Sequence, residues 1–182
     1  MNMNRIFNYI VKIAPSISYW KIILYSLVLI AIFEGIILGV SKWREKKIQV
    51  PRLRVYCLIF YTNFVLRLTL FGRDFGTRNE GNILLKLSIN ELLSNHGILN
   101  MIFFVPFGFL VYVLVQRYYS STSVLLTALI CLAFTLLIEM MQLATKSGRF
   151  EVNDIVANFF GGILGCLPGY LVMHINILFD GN

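Results

Sequence analysis

The chain has 182 residues, of which 58% are apolar and 14% are charged, with a mean hydropathy of +0.75. Soluble domains carry about 25% charged residues, so this composition excludes an ordinary soluble protein and indicates a membrane protein. Much of the formal net charge of +7 falls in one loop beside an apolar run, where basic residues ordinarily orient a membrane helix or contact anionic lipid. We therefore expect membrane lipids, and no nucleic acid, as partners.

Five apolar runs follow one another along the sequence. Each approaches the roughly 20 residues needed to cross about 30 Å of hydrocarbon, and the segments between them are rich in charged or turn-forming residues. The runs lie near residues 20–40, 55–71, 98–116, 123–143 and 154–178. The sequence therefore predicts an all-α fold, a polytopic membrane bundle of about five transmembrane helices.

Basic residues concentrate in the loop after the first run. Residues 41–54 contain six Lys or Arg residues and one acidic residue, Glu45, whereas residues 72–97 carry three basic and three acidic residues. Cytoplasmic loops hold the excess of Lys and Arg, so this pattern predicts a cytoplasmic loop at 41–54, an outside N-terminus and a cytoplasmic C-terminus. Residues 1–19 are then either translocated or lie along the membrane surface.

Polar residues interrupt the last two runs at the ends that this topology places outside. Glu139 and Gln142 fall near the end of the fourth run, Asp154 and Asn158 near the start of the fifth, and Arg149 between the two runs. Spacings of three and four residues put each pair on one helical stripe. The sequence therefore predicts a polar patch at the outer membrane–water interface.

Small residues continue one of these stripes. Gly161, Gly165 and Gly169 form a doubled G-x-x-x-G pattern, which lets a neighbouring helix backbone approach closely. Asp154 and Asn158 share that stripe by helical spacing. We therefore expect the two polar side chains to lie on the packed face of the fifth helix.

The third run adds an amide and a helix irregularity. It begins near Asn100 and contains Pro106 and Gly108. A proline inside a membrane helix frees backbone groups that need partners within the bundle. We expect Asn100 to point inward and to join the polar patch.

The spacing of the cysteines and histidines does not indicate a set of metal ligands or a disulfide pair. The three cysteines fall in different runs without a C-x-x-C pair, and the two histidines lie on opposite sides of the predicted membrane. The residues are Cys57, Cys131, Cys166, His96 and His174. We therefore expect no disulfide framework, no metal site and no cofactor.

Four segments resemble the successive motifs of the VanZ-like family, bacterial integral membrane proteins named for a teicoplanin-resistance factor. They are "TLFGR" at residues 69–73, "LNMIFFVPFGFL", "IEMMQ" and "GRFEVNDIVANFFGGILG", and the resemblance covers roughly residues 55–170. The motif positions are Arg73, Asn100, Pro106, Gly108, Glu139, Gln142, Arg149, Asp154, Asn158 and Gly165. The family pattern leads us to expect a Pro-Phe after the asparagine that follows the second run, but this chain has "NILLKLSIN" there. The first run lies outside the matching region.

The resemblance implies a multi-pass protein of the bacterial cytoplasmic membrane that contributes to tolerance of glycopeptide or lipoglycopeptide antibiotics. It divides the chain into residues 1–54, an N-terminal tail with a membrane anchor and basic loop, and residues 55–178, a VanZ-like four-helix membrane domain. A lipid-linked cell-wall precursor or a lipoglycopeptide is then the expected partner. The resemblance does not supply a mechanism.

Side-chain chemistry suggests roles for the motif residues. Glu139 and Asp154 are candidate acid–base groups, because a carboxylate beside an arginine can transfer a proton. A guanidinium binds phosphate or carboxylate in bidentate fashion. The candidate substrate-binding residues are Arg73, Asn100, Gln142, Arg149 and Asn158.

Three alternatives stay open. The acidic residues and Arg149 could form an ion-pair network that pins the fourth and fifth helices together. The chain could be an integral membrane enzyme acting on phospholipid or on a lipidated protein, although H-E-x-x-H, G-x-S-x-G and P-loop signatures are missing. A transporter or assembly factor is disfavoured because the five spans show no obvious internal repeat and few polar residues reach the midplane.

Overall fold

The structure, a computed structural model, describes residues 19–44, 49–71, 76 and 83–180. These residues form mainly α-helix, with one pair of two-residue strands. The elements are α1 Tyr19–Trp43, α2 Arg52–Leu66, β1 Ile83–Leu84, α3 Ile89–Leu92, α4 Asn95–Val115, α5 Ser123–Ala144, β2 Phe150–Glu151 and α6 Val152–Asp180. A π-helical turn, Arg67–Phe71, continues α2.

In the part of the chain that the structure describes, five helices are long and apolar enough to span a membrane. These are the four long helices α1, α4, α5 and α6, together with α2 and its continuation to Leu70. This confirms the predicted all-α membrane bundle. The helices run alternately up and down, so that α1, α4 and α6 begin at one end of the bundle, where α2 and α5 finish. We call this the site end.

Helices α4 and α6 form the tightest pair in the bundle. A Cβ atom built on Gly161 would overlap the Met101 carbonyl oxygen, and one built on Gly165 would overlap the Val105 carbonyl oxygen. At Gly169 the same atom would lie 2.6 Å from the Tyr112 ring. The predicted glycine stripe therefore faces another helix backbone and not lipid.

An apolar core fills the space between α2, α4 and α5. Phe107 of α4 stacks on Phe134 of α5 with ring centroids 4.5 Å apart, and Phe104 packs beside both rings. The Tyr61 hydroxyl of α2 donates a hydrogen bond of 2.8 Å to the Phe103 carbonyl, in the turn before Pro106. These contacts hold α2 against the α4–α6 pair.

Helix α1 lies at the edge of the bundle and packs mainly against α2. The Glu34 carboxylate accepts hydrogen bonds from the Arg52 side chain at 2.9 Å and from the Tyr56 hydroxyl at 2.6 Å. Only Ile22 and Ser26 of its described side chains are buried, so most of its apolar surface is left for lipid. The division of the chain at residue 55, with a four-helix unit over residues 55–178, stays a prediction.

Candidate functional site

A polar stripe runs down the buried face of α5 toward the site end. Thr135, Glu139 and Gln142 are 0%, 1% and 3% exposed, although they lie in a helix that is otherwise strongly apolar. Burying polar groups is costly unless each has a hydrogen-bond partner. The three residues therefore mark a face at which α5 contacts other elements through polar bonds.

The first and third members of this stripe bind different helices. Asn158 of α6, itself 4% exposed, donates from Nδ2 to Thr135 Oγ1 at 2.8 Å. Gln142 donates from Nε2 to the Thr69 carbonyl in the π-helical turn after α2, at 3.1 Å. A π-helical turn leaves its carbonyls out of the regular i−4 ladder, which makes the Thr69 oxygen available. These two bonds join α5 to α6 and to α2.

Glu139 lies between these two bonds. Its Oε2 accepts a hydrogen bond of 2.9 Å from the backbone N–H of Glu151, in the strand that leads directly into α6. An acidic side chain inside a membrane protein is expensive and usually has a partner or a function. The bond fixes the start of α6 against the end of α5.

A polar cavity of about 330 Å³ opens above Glu139 at the site end. Its described lining is polar except for Gly97 and comes from α3, α4, α5, α6 and the α3–α4 and α5–α6 connections. The lining residues are Glu91, Ser94, His96, Gly97, Gln142, Arg149, Glu151, Asn153 and Asp154. The volume falls in the range of about 300–1,000 Å³ that is typical of ligand sites.

Three of the predicted site residues line this cavity together. They are Gln142 from α5, Arg149 from the connection and Asp154 from the first turn of α6. The Arg149 side chain is exposed, whereas Asp154 is half-buried. Among the residues that the structure describes, no ion pair joins Arg149 to a carboxylate, which leaves the Arg149 guanidinium available to a ligand.

Two further predicted residues lie one layer deeper. Asn100 and Asn158 both line a narrow crevice of about 10 Å³ beside Thr69, which is too small for a ligand. Asn100 and Asn158 are therefore suited to helix packing. The single polar patch that the sequence predicted is divided into two layers, the cavity and this crevice, with Glu139 between them. Arg73 lies outside the described residues.

A short segment that the sequence did not indicate covers the cavity. Residues 83–94, the cover segment, include β1 and α3, and β1 pairs in parallel with β2. The Asn153 side chain accepts from the Ser88 N–H at 2.9 Å and donates to the Lys86 carbonyl at 3.1 Å and to the Glu91 carboxylate. Asn153 thus ties the cover segment to the start of α6.

Asn153→Ala should release the cover segment without unfolding the bundle. Each lost hydrogen bond contributes about 0.5–1.5 kcal/mol, so we expect faster amide exchange in residues 83–94 and little change in α4 or α6. Hydrogen–deuterium exchange in detergent measures this. Asn90→Ala, at an exposed position of α3, is the matched control, and equal exchange in both variants would contradict this role of Asn153.

Sequence reasoning missed part of the cavity lining. Glu91 reaches the cavity because the cover segment folds back over α6, whereas His96 and Asn153 reach it from the first turns of α4 and α6. No local periodicity indicates that these three residues converge. Of these three residues, only Asn153 could have been noticed in the sequence, because it is an amide directly before Asp154 at the polar start of a helix. His96 does not pair with His174, whose ring nitrogen Nδ1 lies 3.1 Å from the Tyr170 carbonyl oxygen.

Comparison with protein families identifies this architecture. The family model for VanZ/LLP1 matches residues 21–173, which is well over half of the chain. The match includes α1, so the family relationship extends further toward the N-terminus than the motifs in residues 55–170 indicated. Among curated proteins and among solved structures, none is significantly similar to the chain. The chain belongs to the VanZ/LLP1 family, whose membrane proteins are linked in general to glycopeptide resistance.

Proposed function

We propose that this protein protects the bacterial cell envelope from glycopeptide and lipoglycopeptide antibiotics of the teicoplanin type, and that the polar cavity at the site end is where it acts. Family membership supports the general role. The observation that carries the proposal is the convergence of Gln142, Arg149 and Asp154 on one cavity of about 330 Å³. Such convergence of polar groups in a concave site is the usual mark of ligand binding.

The cavity chemistry suits a ligand that carries both acidic and basic groups. The exposed Arg149 guanidinium can bind a phosphate or carboxylate in bidentate fashion. Glu91, Glu151 and Asp154 line the same cavity and can accept hydrogen bonds from amines or hydroxyls. A lipid-linked cell-wall precursor and a lipoglycopeptide both offer such groups next to a lipid tail, which suits a cavity at the end of a membrane bundle.

We further propose that the site end faces outward across the cytoplasmic membrane. The basic excess of residues 41–54 supports this orientation, because such loops stay in the cytoplasm. Antibiotic and cell-wall precursor then reach the cavity from the outer surface. Substrates held on the cytoplasmic side of the membrane would not reach the cavity.

Cysteine labelling tests the orientation. A membrane-impermeant maleimide applied to intact cells should modify Asn90→Cys, which is exposed at the site end, and spare Gln49→Cys, which is exposed at the other end. The unsubstituted chain gives the background of its own cysteines, and the reverse labelling pattern would contradict an outward-facing cavity.

An enzyme that acts on phospholipid or lipidated protein is the second candidate. It is supported by His96, whose side chain lines the cavity together with Glu151 and Asp154. An imidazole near carboxylates can serve as a general acid or base at neutral pH. In this reaction class Glu139 and Asp154 are the acid–base candidates, and Arg149 holds the phosphate or carboxylate of the substrate.

Deletion of the gene separates the two candidates. For the protective role we expect the deletion strain to become more susceptible to teicoplanin while its lipid profile stays unchanged, and re-expression to restore tolerance. Susceptibility testing and lipid mass spectrometry on the same cultures measure both effects. An altered lipid class with unchanged susceptibility would support the enzyme and contradict the protective role.

A further inference from the structure

A second cavity lies at the site end, between α1 and α2. Its volume is about 440 Å³, again within the range of about 300–1,000 Å³ that ligand sites occupy. None of its described lining residues also lines the polar cavity. It is therefore a separate feature, which we call the α1–α2 crevice.

Two basic side chains lie at the mouth of the crevice. Lys21 is two residues from the start of α1, and Arg67 is four residues from the end of the π-helical turn at Phe71. At 1.5 Å per residue these positions are about 3 Å and about 6 Å from their helix ends. Tyr19 and Trp20, both exposed, lie beside Lys21 and are typical of the membrane–water interface. The two cations thus lie at the depth of lipid headgroups.

The walls of the crevice are mostly apolar and open toward lipid; the Asn63 amide also lines it and donates to the Ile59 carbonyl of its own helix. Val28 and Leu29 line it and are 49% and 44% exposed. Leu29 is eight residues beyond Lys21, which corresponds to about 12 Å along the helix axis. No described residue that lines the crevice is acidic. The crevice therefore combines positive charge at the interface with an apolar channel that runs toward the membrane interior.

We propose that the α1–α2 crevice binds one anionic phospholipid from the leaflet at the site end. Its phosphate lies between Lys21 and Arg67, and one acyl chain lies against Val28 and Leu29. Basic pockets between membrane helices bind anionic headgroups in this way. A soluble anion would leave the apolar channel unfilled, and an acidic peptide would expose its backbone to lipid. The lipid joins α1, which has few buried side chains, to the rest of the bundle.

Lipid titration of the purified protein in detergent tests this site. Phosphatidylglycerol should bind more tightly than phosphatidylcholine of the same chain length, as measured by native mass spectrometry. Lys21→Gln with Arg67→Gln should weaken phosphatidylglycerol binding about 30-fold, because each basic residue near an anionic surface contributes about 1 kcal/mol. Val28→Trp keeps both charges but fills the channel, and it should also lose binding.

The matched control changes the same charge at the site end but away from the crevice. Lys86→Gln with Lys146→Gln, both at exposed positions and neither lining the crevice, should bind phosphatidylglycerol as the parent does. Equal binding of both lipids, equal loss in the control, or unchanged binding in the double variant at the crevice would each overturn the proposal. Inorganic phosphate at millimolar concentration should not compete, and competition would assign the crevice to a free anion.

Discussion

Gly165→Leu is expected to destabilise the bundle severely, and Gly165→Ala should already lower its melting temperature. A Cβ atom at this position would overlap the Val105 carbonyl oxygen and lie 2.6 Å from the Phe109 backbone nitrogen. Both atoms belong to the α4 backbone, so neither can move aside as a flexible side chain could. Overpacking a tight interface costs about 1–3 kcal/mol or more, which for this chain outweighs the gain of about 1 kcal/mol in helix propensity.

The chain offers matched controls in α1. Nothing lies within 4 Å of a Cβ atom built on Gly35 or Gly39, so these helical glycines have open space. Gly39→Ala should leave thermal stability unchanged or raise it, and Gly39→Leu should be tolerated. Fluorescence-monitored melting in detergent compares the pairs. If Gly165→Ala and Gly39→Ala melt alike, the α4–α6 packing described above is wrong.

The five spans could be predicted because hydrophobicity is a local property of composition. Each predicted run overlaps a helix of the structure, and the glycine stripe of α6 was assigned to the packed face from spacing alone. The stripes of Glu139 with Gln142 and of Asp154 with Asn158 follow from the same helical period. These features need no knowledge of which helices are neighbours.

The structural features that could not be predicted from the sequence depend on contacts between residues far apart in the chain. The β1–β2 pair joins residues more than 60 positions apart through two residues in each strand, which is too short to show any periodicity. The contact of Glu34 with Arg52 is likewise invisible in the sequence, because it depends on α2 beginning at Arg52, which brings that guanidinium within 2.9 Å of the Glu34 carboxylate. The sequence left open whether Arg149 pairs with a carboxylate or binds a ligand, and in the described residues its side chain is exposed at the cavity with no ion pair to a carboxylate.

Glu139→Gln is expected to abolish protection while leaving the fold intact. The amide oxygen of glutamine can still accept the hydrogen bond that the Glu151 N–H donates to Glu139 at 2.9 Å. Shape and volume are nearly kept, but the negative charge and any acid–base function are lost. We therefore expect normal expression, a normal melting temperature and loss of tolerance.

Glu139→Leu is the structural counterpart. It removes the acceptor and leaves the Glu151 N–H without its partner, at a cost of about 1–3 kcal/mol. We expect this variant to melt below both the parent and Glu139→Gln. If Glu139→Gln melts as low as Glu139→Leu, the carboxylate charge itself holds α5 and α6 together, and any loss of tolerance is secondary.

Teicoplanin susceptibility of a deletion strain that carries Glu139→Gln or Asp154→Asn, each at the parent's expression level and thermal stability, tests the central claim most directly. Asp154 lines the proposed cavity and Glu139 lies directly beneath it, so we predict that neither variant restores the tolerance that the parent chain restores. Full tolerance with both variants would contradict a functional site here, and would assign Glu139 and Asp154 to helix pinning.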